Sequence, residues 1–267
     1  MFTGYTIVTD MDGTLLNSEG ILSKENIDAI NEFVENGGKF TVATGRMLPS
    51  VEKFIDRLNI NIPAILYNGS KIYDFSDKKV IYEEFLEDEK RDIIRRIAKE
   101  NNDVGIEVYI GDIIYAYKPC KYTDRLSTKN LDVRFDIDED WLFSQKWIKI
   151  LLLGEPEIMD KLEETYKNIY KAGDITRSGD KFLEILPSST SKGHGVEYLC
   201  EKYGLKKDKL FTFGDAMNDV ELLSITDNGY CVANGATRLK KIAKNLEVSN
   251  DEHIIEFILN KIKNIEK

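Results

Sequence analysis

The sequence has few of the residues that many catalytic and metal sites use. It contains two histidines and three cysteines in 267 residues, and neither histidine belongs to an H-E-x-x-H motif. It also contains no G-x-S-x-G and no C-x-x-C motif, which argues against a serine-hydrolase elbow, a zinc knuckle and a disulfide framework. Three widely separated cysteines indicate a reducing compartment, so we expect a cytoplasmic protein.

Basic residues are also in deficit. Lys and Arg total 37 against 47 Asp and Glu, which gives a formal net charge of −10 at pH 7. Nucleic-acid binding needs clustered positive charge to meet phosphates, so we expect no nucleic-acid partner. No apolar run approaches the roughly 18 residues of a membrane span, so we expect neither a membrane partner nor a signal peptide. The acidity raises the question of how the protein would hold an anionic substrate.

The apolar residues suffice for a large core. They make up 42% of the chain, whose length suits one large domain or two smaller ones. In both outer segments, short apolar runs alternate with helical patterns. The predicted strands there are 5–9, 39–43, 64–67, 210–213, 230–233 and 246–248. Strands that alternate with helices predict a parallel sheet with right-handed crossovers, which is an α/β fold.

The middle of the chain has a different pattern. Two Gly-X pairs, Gly111-Asp112 and Gly179-Asp180, separate short apolar runs and predict tight hairpin turns. Hairpins mixed with helices predict an antiparallel sheet in an α+β module. We therefore predict a discontinuous α/β domain of residues 1–83 and 188–267, with an α+β domain of residues 84–187 inserted into it.

Polar residues follow the predicted strands of the outer segments. Ligands of open α/β sheets bind at the carboxyl ends of the strands, so these positions are candidate site residues. They form four groups, and a lysine at the start of a later predicted helix joins them. The groups are residues 10–14, 44–46, 68–69 and 214–219, and the lysine is Lys192.

The first group contains two carboxylates, Asp10 and Asp12, followed by Gly13. An unperturbed aspartate has a pKa near ~3.9, so both would be ionised in water. An ionised carboxylate can attack phosphorus, while its neighbour protonates a leaving oxygen and later activates water. A calcium-binding EF-hand loop would need glycine at its sixth position, whereas Gly13 is at the fourth. An ordinary Asx turn remains an alternative explanation of Asp12.

The group at 214–219 adds further oxygen ligands. Mg²⁺ prefers hard oxygen atoms and commonly takes one or two carboxylates together with phosphate and water. Asp10 and Asp215 could supply those carboxylates from neighbouring strand ends, with a hydrogen bond from Asn218 and support from Asp219. Helix capping is the alternative for Asn218 or Asp219, but it does not explain Asp215 as well.

The remaining groups suit an anion. Thr44, Gly45 and Arg46 offer a hydroxyl and backbone N–H groups at a predicted helix start, as phosphate sites do. Lys192 is a cation near the start of a helix, against the preference of the helix dipole, which indicates an anionic partner. The alternatives are a plain turn for Thr44-Gly45, a solvated surface position for Lys192 and a turn dipeptide for Asn68-Gly69.

Together these motifs resemble those of the haloacid dehalogenase superfamily of phosphatases, in the Cof-like branch with a large inserted cap of type IIB. Five motifs match in the family's order: D-x-D-G-T-L-L at 10–16, A-T-G-R at 43–46, N-G at 68–69, S-K-G at 191–193 and G-D-x-x-N-D at 214–219. The resemblance implies a Rossmann-like core with a parallel sheet and an α+β cap domain that determines substrate choice.

The resemblance also implies a role for each matching residue. Asp10 would be the nucleophile that forms a phospho-aspartate, and Asp12 the general acid and base. The implied cofactor is Mg²⁺, held by Asp10, Asp215 and the backbone carbonyl of Asp12, with Asp219 supporting the metal's waters or Lys192. The implied phosphate-binding groups are Thr44, Arg46, Asn68, Lys192, Asn218 and the backbone N–H groups of Met11 and Gly45.

Two positions depart from the family pattern. Gly235 stands where the family usually has alanine after Asn234, and the usual glycine after Asn250-Asp251 is absent. Both positions lie outside the five motifs. We therefore expect them to alter the local loop conformation more than the activity.

We expect a Mg²⁺-dependent phosphatase for a small phosphorylated metabolite such as a sugar phosphate, acting as a monomer or weak homo-oligomer. The superfamily's dehalogenases lack a second acid at the position of Asp12, so its presence implies phosphotransfer chemistry. A phosphomutase or phosphotransferase that excludes water is the second hypothesis. A regulatory homologue without turnover is the third, although Asp10, Asp12 and Asp215 are all present.

Overall fold

The computed structural model describes residues 1–128, 131–167 and 174–265. Its strands are β1 (Thr6–Thr9), β2 (Lys39–Val42), β3 (Ala64–Leu66), β4 (Lys71–Asp74), β5 (Lys79–Glu83), β6 (Gly105–Ile110), β7 (Ile113–Lys118), β8 (Val133–Arg134), β9 (Lys149–Leu153), β10 (Ile175–Gly179), β11 (Phe182–Ile185), β12 (Leu210–Gly214), β13 (Asn228–Cys231) and β14 (Lys244–Asn245). Its helices are α1 (Lys24–Glu35), α2 (Leu48–Glu52), α3 (Asp88–Glu100), α4 (Glu139–Ser144), α5 (Pro156–Lys167), α6 (Lys192–Tyr203), α7 (Val220–Ser224), α8 (Thr237–Lys240) and α9 (Ile254–Ile265).

The chain divides into two compact units. The first comprises Met1–Arg46, Val51–Ile81 and Ser191–Lys267, and the second comprises Met47–Ser50 and Tyr82–Thr190. The outer segments of the sequence thus form one unit and the middle forms the other. The domain boundaries at residues 83–84 and 187–188 stay predictions.

The first unit contains a five-stranded sheet in the order β14-β13-β12-β1-β2. Every neighbouring pair in it is parallel, so the predicted α/β class with a parallel sheet is confirmed. All four residues of β1 are buried, as expected for a strand with both faces covered. Helix α1 begins where the hydroxyl of Ser23 accepts the N–H of Asn26, and it packs against α9.

The predicted strand at 64–67 joins a different sheet. It forms β3, which pairs with β4 in an antiparallel hairpin and meets the parallel sheet through one isolated bridge between Ala43 and Ile65. The cause is the turn after Leu66. Three consecutive residues have positive φ, Tyr67 at 51°, Asn68 at 55° and Gly69 at 101°, and they reverse the chain.

The predicted strand at 246–248 lies two residues earlier, as β14.

The second unit contains a six-stranded sheet in the order β10-β11-β9-β6-β7-β8. All its pairs are antiparallel except β7 with β8. The hairpin turn at Gly111-Asp112 is confirmed, because Ile110 lies opposite Ile113. The second turn lies one residue later than predicted, at Asp180-Lys181, because Gly179 pairs with Phe182.

The two faces of this second sheet differ in chemistry. Alternate residues of β6, β9 and β11 join an apolar core with α3, α4 and α5; among them are Ile106, Val108, Ile150, Leu152, Leu183 and Ile185. Intervening positions carry buried charges that are paired within the unit. Arg125 donates to both oxygens of Glu107 at 2.6 and 2.9 Å, and Lys149 lies 2.7 Å from Glu184.

Across the part of the chain that the structure describes, no helix combines the length and apolar character that a membrane crossing requires.

Replacing Gly69 by alanine should destabilise the first unit more than the same change at Gly20. Both glycines have positive φ, but a Cβ on Gly69 would lie 2.1 Å from the carbonyl oxygen of Ser191, whereas Gly20 has open space. We expect Gly20→Ala to lower the free energy of unfolding by about 1–2 kcal/mol. Gly69→Ala should cost about 1–3 kcal/mol more, because two backbone segments must separate. Urea denaturation measures both, and equal losses would contradict the close contact.

Candidate active site

The carboxyl ends of β12, β1 and β2 lie side by side, because these parallel strands are neighbours in one sheet. Thr9 lies beside Phe213 on one side and Val42 on the other. The backbone N–H of Asp10 donates to the carbonyl of Phe213 at 2.9 Å, which fixes the first residue after β1. The loops that follow these three strands, which carry the predicted site residues, therefore start at the same edge of the sheet.

The loop after β1 passes close to Asp215. Its Met11–Leu15 segment is a tight turn with non-helical backbone at Asp12 and at Gly13, where φ is 74°, and the Met11 side chain is buried. A Cβ on Gly13 would lie 2.5 Å from Oδ2 of Asp215, so glycine permits this approach. The hydroxyl of Thr14 donates to Oδ1 of Asp215 at 2.9 Å. These contacts join the loop after β1 (the first acidic loop) to the loop after β12 (the second acidic loop).

Lys192 bridges two of the acidic residues, Asp10 and Asp219. Its side chain is fully buried, and its Nζ lies 2.8 Å from Oδ1 of Asp10 and 2.7 Å from Oδ1 of Asp219. Burial disfavours the charged ammonium, but the two carboxylates outweigh burial and raise the pKa of Lys192. The alternative of a solvated surface lysine is therefore wrong, and this ammonium is a permanent cation inside the cluster.

Asp219 serves both the cluster and the backbone around it. Its Oδ2 accepts the N–H groups of Asp215 and Ala216 at 2.9 and 3.0 Å, while its Oδ1 accepts from Lys192. The alternative that Asp219 caps α7 is not borne out, because its side chain makes no capping hydrogen bond to that helix; the carboxylate instead reaches back to the short turn before α7. Both oxygens already accept hydrogen bonds, which suits a supporting role. Direct contact between Asp219 and a metal stays a prediction.

The three carboxylates of Asp10, Asp215 and Asp219 each place an oxygen within 4.8 Å of the others. Burial raises the pKa of Asp10 well above its usual range, and the neighbouring carboxylates add to this effect against the opposing influence of Lys192. Burial, followed by repulsion from Asp219, raises the pKa of Asp215 to about 6. One lysine does not neutralise three carboxylates, so the cluster favours an additional cation.

The donor set fits a hard divalent cation such as Mg²⁺. Asp10 and Asp215 are the carboxylates that would hold it, since their oxygens are close together and carry surplus negative charge. Participation of the Asp12 carbonyl stays a prediction.

The predicted phosphate-binding residues Thr44, Gly45, Asn68 and Asn218 also come together. The backbone N–H of Asn68 donates to the carbonyl of Thr44 at 2.9 Å. The hydroxyl of Thr44 accepts the N–H of Arg46 at 3.1 Å, and the amide of Asn218 donates to Oδ1 of Asn68 at 3.0 Å. Contact of these groups, of Lys192 and of the Met11 N–H with a phosphate stays a prediction.

Arg46 is bound to the second aspartate of the first motif. Its Nε lies 2.7 Å from Oδ2 of Asp12, and its Nη2 lies 2.6 Å from Oδ1. The same guanidinium lies over the ring of Phe54, 5.0 Å from the centroid. The Asp12 side chain is 61% exposed and Arg46 only 22%, so the arginine anchors the more exposed aspartate. Phosphate contact by Arg46 stays a prediction.

Two asparagines outside the five motifs support the loop after β1. Asn234 donates to the carbonyl of Gly13 at 2.7 Å, and Asn250 donates to the carbonyl of Leu16 at 3.0 Å. The two are linked, because the N–H of Asn250 donates to Oδ1 of Asn234. Both asparagines lie in the two segments that depart from the family pattern, and this departure is the sequence feature that marks them.

Gly235 has a local steric explanation. A Cβ at this position would lie 2.3 Å from Sγ of the buried Cys231. An alanine at this position would therefore collide with the cysteine at the end of the preceding strand, and glycine avoids the collision. The loop keeps its contact with the site, since the next residue, Ala236, donates its N–H to the carbonyl of Asp215 at 2.7 Å.

Comparison with known proteins agrees with this arrangement. The sequence profile of haloacid dehalogenase-like hydrolases matches residues 7–259. A Bacillus subtilis relative named 5-amino-6-(5-phospho-D-ribitylamino)uracil phosphatase is 27% identical over 283 residues, covering 96% of this chain and 97% of its own. A haloacid dehalogenase-like hydrolase from Bacteroides thetaiotaomicron has a TM-score of 0.80 at 24% identity, covering 97% of this chain and 99% of its own. A structure described as a subclass IIB sugar phosphatase has a TM-score of 0.83 at 18% identity, with the same coverage. The structural likenesses establish the fold.

Without metal, Asp215→Asn should stabilise the protein at neutral pH. The folded-state pKa of Asp215 is about 6, against roughly 3.9 when unfolded. The folded protein therefore binds more protons between these values, and its stability falls as pH rises through this window. Asparagine removes the charge and keeps an acceptor for Thr14. We expect a gain of about 1–3 kcal/mol at pH 7 and a weaker pH dependence, measured by urea unfolding in EDTA.

The exposed Asp208 provides the control, because Asp208→Asn removes the same charge outside the cluster. Its free energy of unfolding should remain within about 0.5 kcal/mol of the wild type. An Asp215→Asn variant that is no more stable than this control at pH 7 would show that the cluster carries no surplus charge.

Proposed function

The chain belongs to the haloacid dehalogenase-like hydrolase family, as its motifs predicted, and we propose that it is a Mg²⁺-dependent phosphatase. Its substrate would be a small phosphomonoester, a sugar phosphate or a related metabolite, hydrolysed through a phospho-aspartate on Asp10. The observation that supports this most is the buried cluster of Asp10, Asp215, Asp219 and Lys192 at the carboxyl edge of the parallel sheet.

Asp10 is suited to act as the nucleophile. The ammonium of Lys192 lies 2.8 Å from its Oδ1 and orients the carboxylate. The nucleophilic oxygen would bond to phosphorus as the bond between phosphorus and the leaving oxygen breaks. In the second step, a water oxygen bonds to phosphorus and the bond to Asp10 breaks, which releases inorganic phosphate and restores the carboxylate.

Mg²⁺ held by Asp10 and Asp215 would supply positive charge against the phosphoryl oxygens. Positioning then depends on the protein's own groups. The ion pair with Lys192 orients Asp10, and the hydrogen bond from Thr14 orients Asp215. Asp219 secures the loop by accepting two backbone N–H groups. The carboxylates are therefore held before a substrate arrives, which is what electrostatic preorganisation requires.

Asp12 is suited to move the proton. In the first step it would protonate the leaving oxygen, and in the second it would take a proton from the attacking water. The two hydrogen bonds from Arg46 hold its carboxylate in one orientation. Its exposed side chain can be reached by the attacking water.

The remaining assignments follow from the family pattern. We propose that residues 1–83 and 188–267 form the catalytic core and that residues 84–187 form a cap domain that determines substrate choice. A cytoplasmic location and a monomeric or weakly oligomeric state stay predictions. The absence of a nucleic-acid partner remains an expectation from the net charge of −10.

Asp10→Asn should abolish phosphatase activity without unfolding the protein. The amide has the shape of the carboxylate but is a poor nucleophile, so we expect kcat to fall by at least about 1,000-fold. The assay uses a panel of phosphomonoesters with Mg²⁺, and chelation by EDTA should silence the wild type reversibly. Acid quenching with ³²P-labelled substrate should leave label on the wild type and none on the variant. Normal turnover by Asp10→Asn would overturn the nucleophile assignment.

Asp12→Asn should slow the first step in proportion to the basicity of the leaving group. An alkyl oxygen needs a proton as it leaves, whereas p-nitrophenolate leaves readily without one. We expect single-turnover cleavage of an alkyl phosphate to fall by about 100-fold or more, with a clearly smaller loss for p-nitrophenyl phosphate. Rapid-quench kinetics separates this step from hydrolysis of the intermediate. Equal losses for both substrates would exclude Asp12 as the general acid.

A further inference from the structure

The turn after β3 has an unusual backbone next to the site. Tyr67, Asn68 and Gly69 are consecutive residues with positive φ, a conformation that asparagine and glycine tolerate but tyrosine rarely adopts. Two backbone hydrogen bonds hold the turn against the loop after β2. Tyr67 donates to the carbonyl of Arg46 at 3.1 Å, and Asn68 donates to the carbonyl of Thr44 at 2.9 Å. Backbone held in sparsely populated conformations is concentrated at functional sites.

The other side of the turn contacts the start of α6. A Cβ on Gly69 would lie 2.1 Å from the carbonyl oxygen of Ser191, the residue immediately before Lys192. The turn is therefore fixed between two of the segments that form the site. Its position leaves Asn68 little freedom in where it places its side chain.

The carboxamide of Asn68 lies between two predicted phosphate-binding groups. A Cβ on Gly45 would lie 3.0 Å from Oδ1 of Asn68, so the carboxamide packs directly on the Gly45 backbone. The same Oδ1 accepts Nδ2 of Asn218 at 3.0 Å. Asn68 thus links the loop after β2 to the loop after β12.

We propose that Asn68 is a positioning residue that acts on phosphate through Asn218. The amide nitrogen of Asn218 carries two hydrogens, and Asn68 takes one of them, which fixes the plane of the amide and directs the other hydrogen to a phosphoryl oxygen. This inference rests on the phosphate site of the proposed function. It revises the direct phosphate contact that the sequence predicted for Asn68.

Exposure distinguishes the two asparagines. Asn68 is only 1% exposed, whereas Asn218 is partly exposed and can reach a bound ligand. Donation from an amide to a charged oxygen is a strong hydrogen bond, so misdirecting it should weaken phosphate binding markedly. The effect should appear only while Asn218 is present to be positioned.

A double-mutant cycle tests this dependence. Asn68→Gly removes the carboxamide while keeping the positive φ, and Asn218→Ala removes the donor. The first readout is the dissociation constant of inorganic phosphate in the presence of Mg²⁺, measured by calorimetry. The second is kcat and KM for p-nitrophenyl phosphate. We expect each single variant to weaken phosphate binding by about 10- to 100-fold, and the double variant to be no weaker than Asn218→Ala alone.

The outcomes separate this inference from the proposed function. Losses that multiply in the double variant would mean that Asn68 contacts phosphate itself, and the inference would fail while phosphatase activity stands. A wild type that binds phosphate with a non-additive cycle but does not hydrolyse any monoester would preserve the inference and overturn the proposed function. A wild type that neither binds phosphate nor hydrolyses a monoester would overturn both.

Lys78→Gly is the matched control. Lys78 is an exposed residue with a φ of 50°, so the change introduces glycine at a positive φ outside the site. It should leave phosphate affinity and kcat unchanged. If Asn68→Gly does not fold, Asn68→Ala enters the cycle in its place, with urea unfolding to confirm a native fraction. An Asn68 variant that binds phosphate like Lys78→Gly would also overturn the inference.

Discussion

Two buried carboxylates, those of Asp10 and Asp219, face one buried ammonium, that of Lys192. None of these charges could be buried alone without a large desolvation cost; Lys192 stabilises both carboxylates, and the two carboxylates stabilise Lys192. They come from the end of β1, the start of α6 and the loop after β12, which are distant in sequence. The ion cluster therefore couples the positions of three elements, and the folded first unit and the assembled site depend on the same contact.

Neutral amides support the loops around this charged centre. Asn234 and Asn250 hold the first acidic loop through carbonyl groups, and Asn68 binds the amide of Asn218. An amide supplies both a donor and an acceptor without adding charge. A further carboxylate in these positions would raise the pKa values of Asp10 and Asp215 even more, because like charges disfavour ionisation. The choice of asparagine keeps the site ordered without increasing its surplus of negative charge.

Sequence patterns predicted most of the framework and the identity of the acidic residues. Strand periodicity and strand-end polar groups sufficed for the parallel sheet, since parallel strands place their carboxyl ends at one edge. They did not predict which side chains pair. Arg46 binds Asp12 because of loop geometry, and the chain reversal at Tyr67 and Asn68 moves β3 into an antiparallel hairpin. Glycine at position 235 is explained by the buried Sγ of Cys231 at the end of β13, which a Cβ on residue 235 would approach to 2.3 Å. Such contacts depend on three-dimensional distance, which a one-dimensional pattern does not contain.

These pairings decide how the acidity of the chain affects the site. The sequence assigns Lys192 and Arg46 to an anionic ligand, yet each cation faces carboxylates of the site itself, Asp10 with Asp219 in one case and Asp12 in the other. Their charge is thus largely offset before any phosphate arrives. A doubly charged phosphate entering beside Asp215 would then meet net negative potential, because three clustered carboxylates share one lysine. The proposed dependence on a divalent cation therefore rests on charge balance in the site more directly than on the net charge of −10.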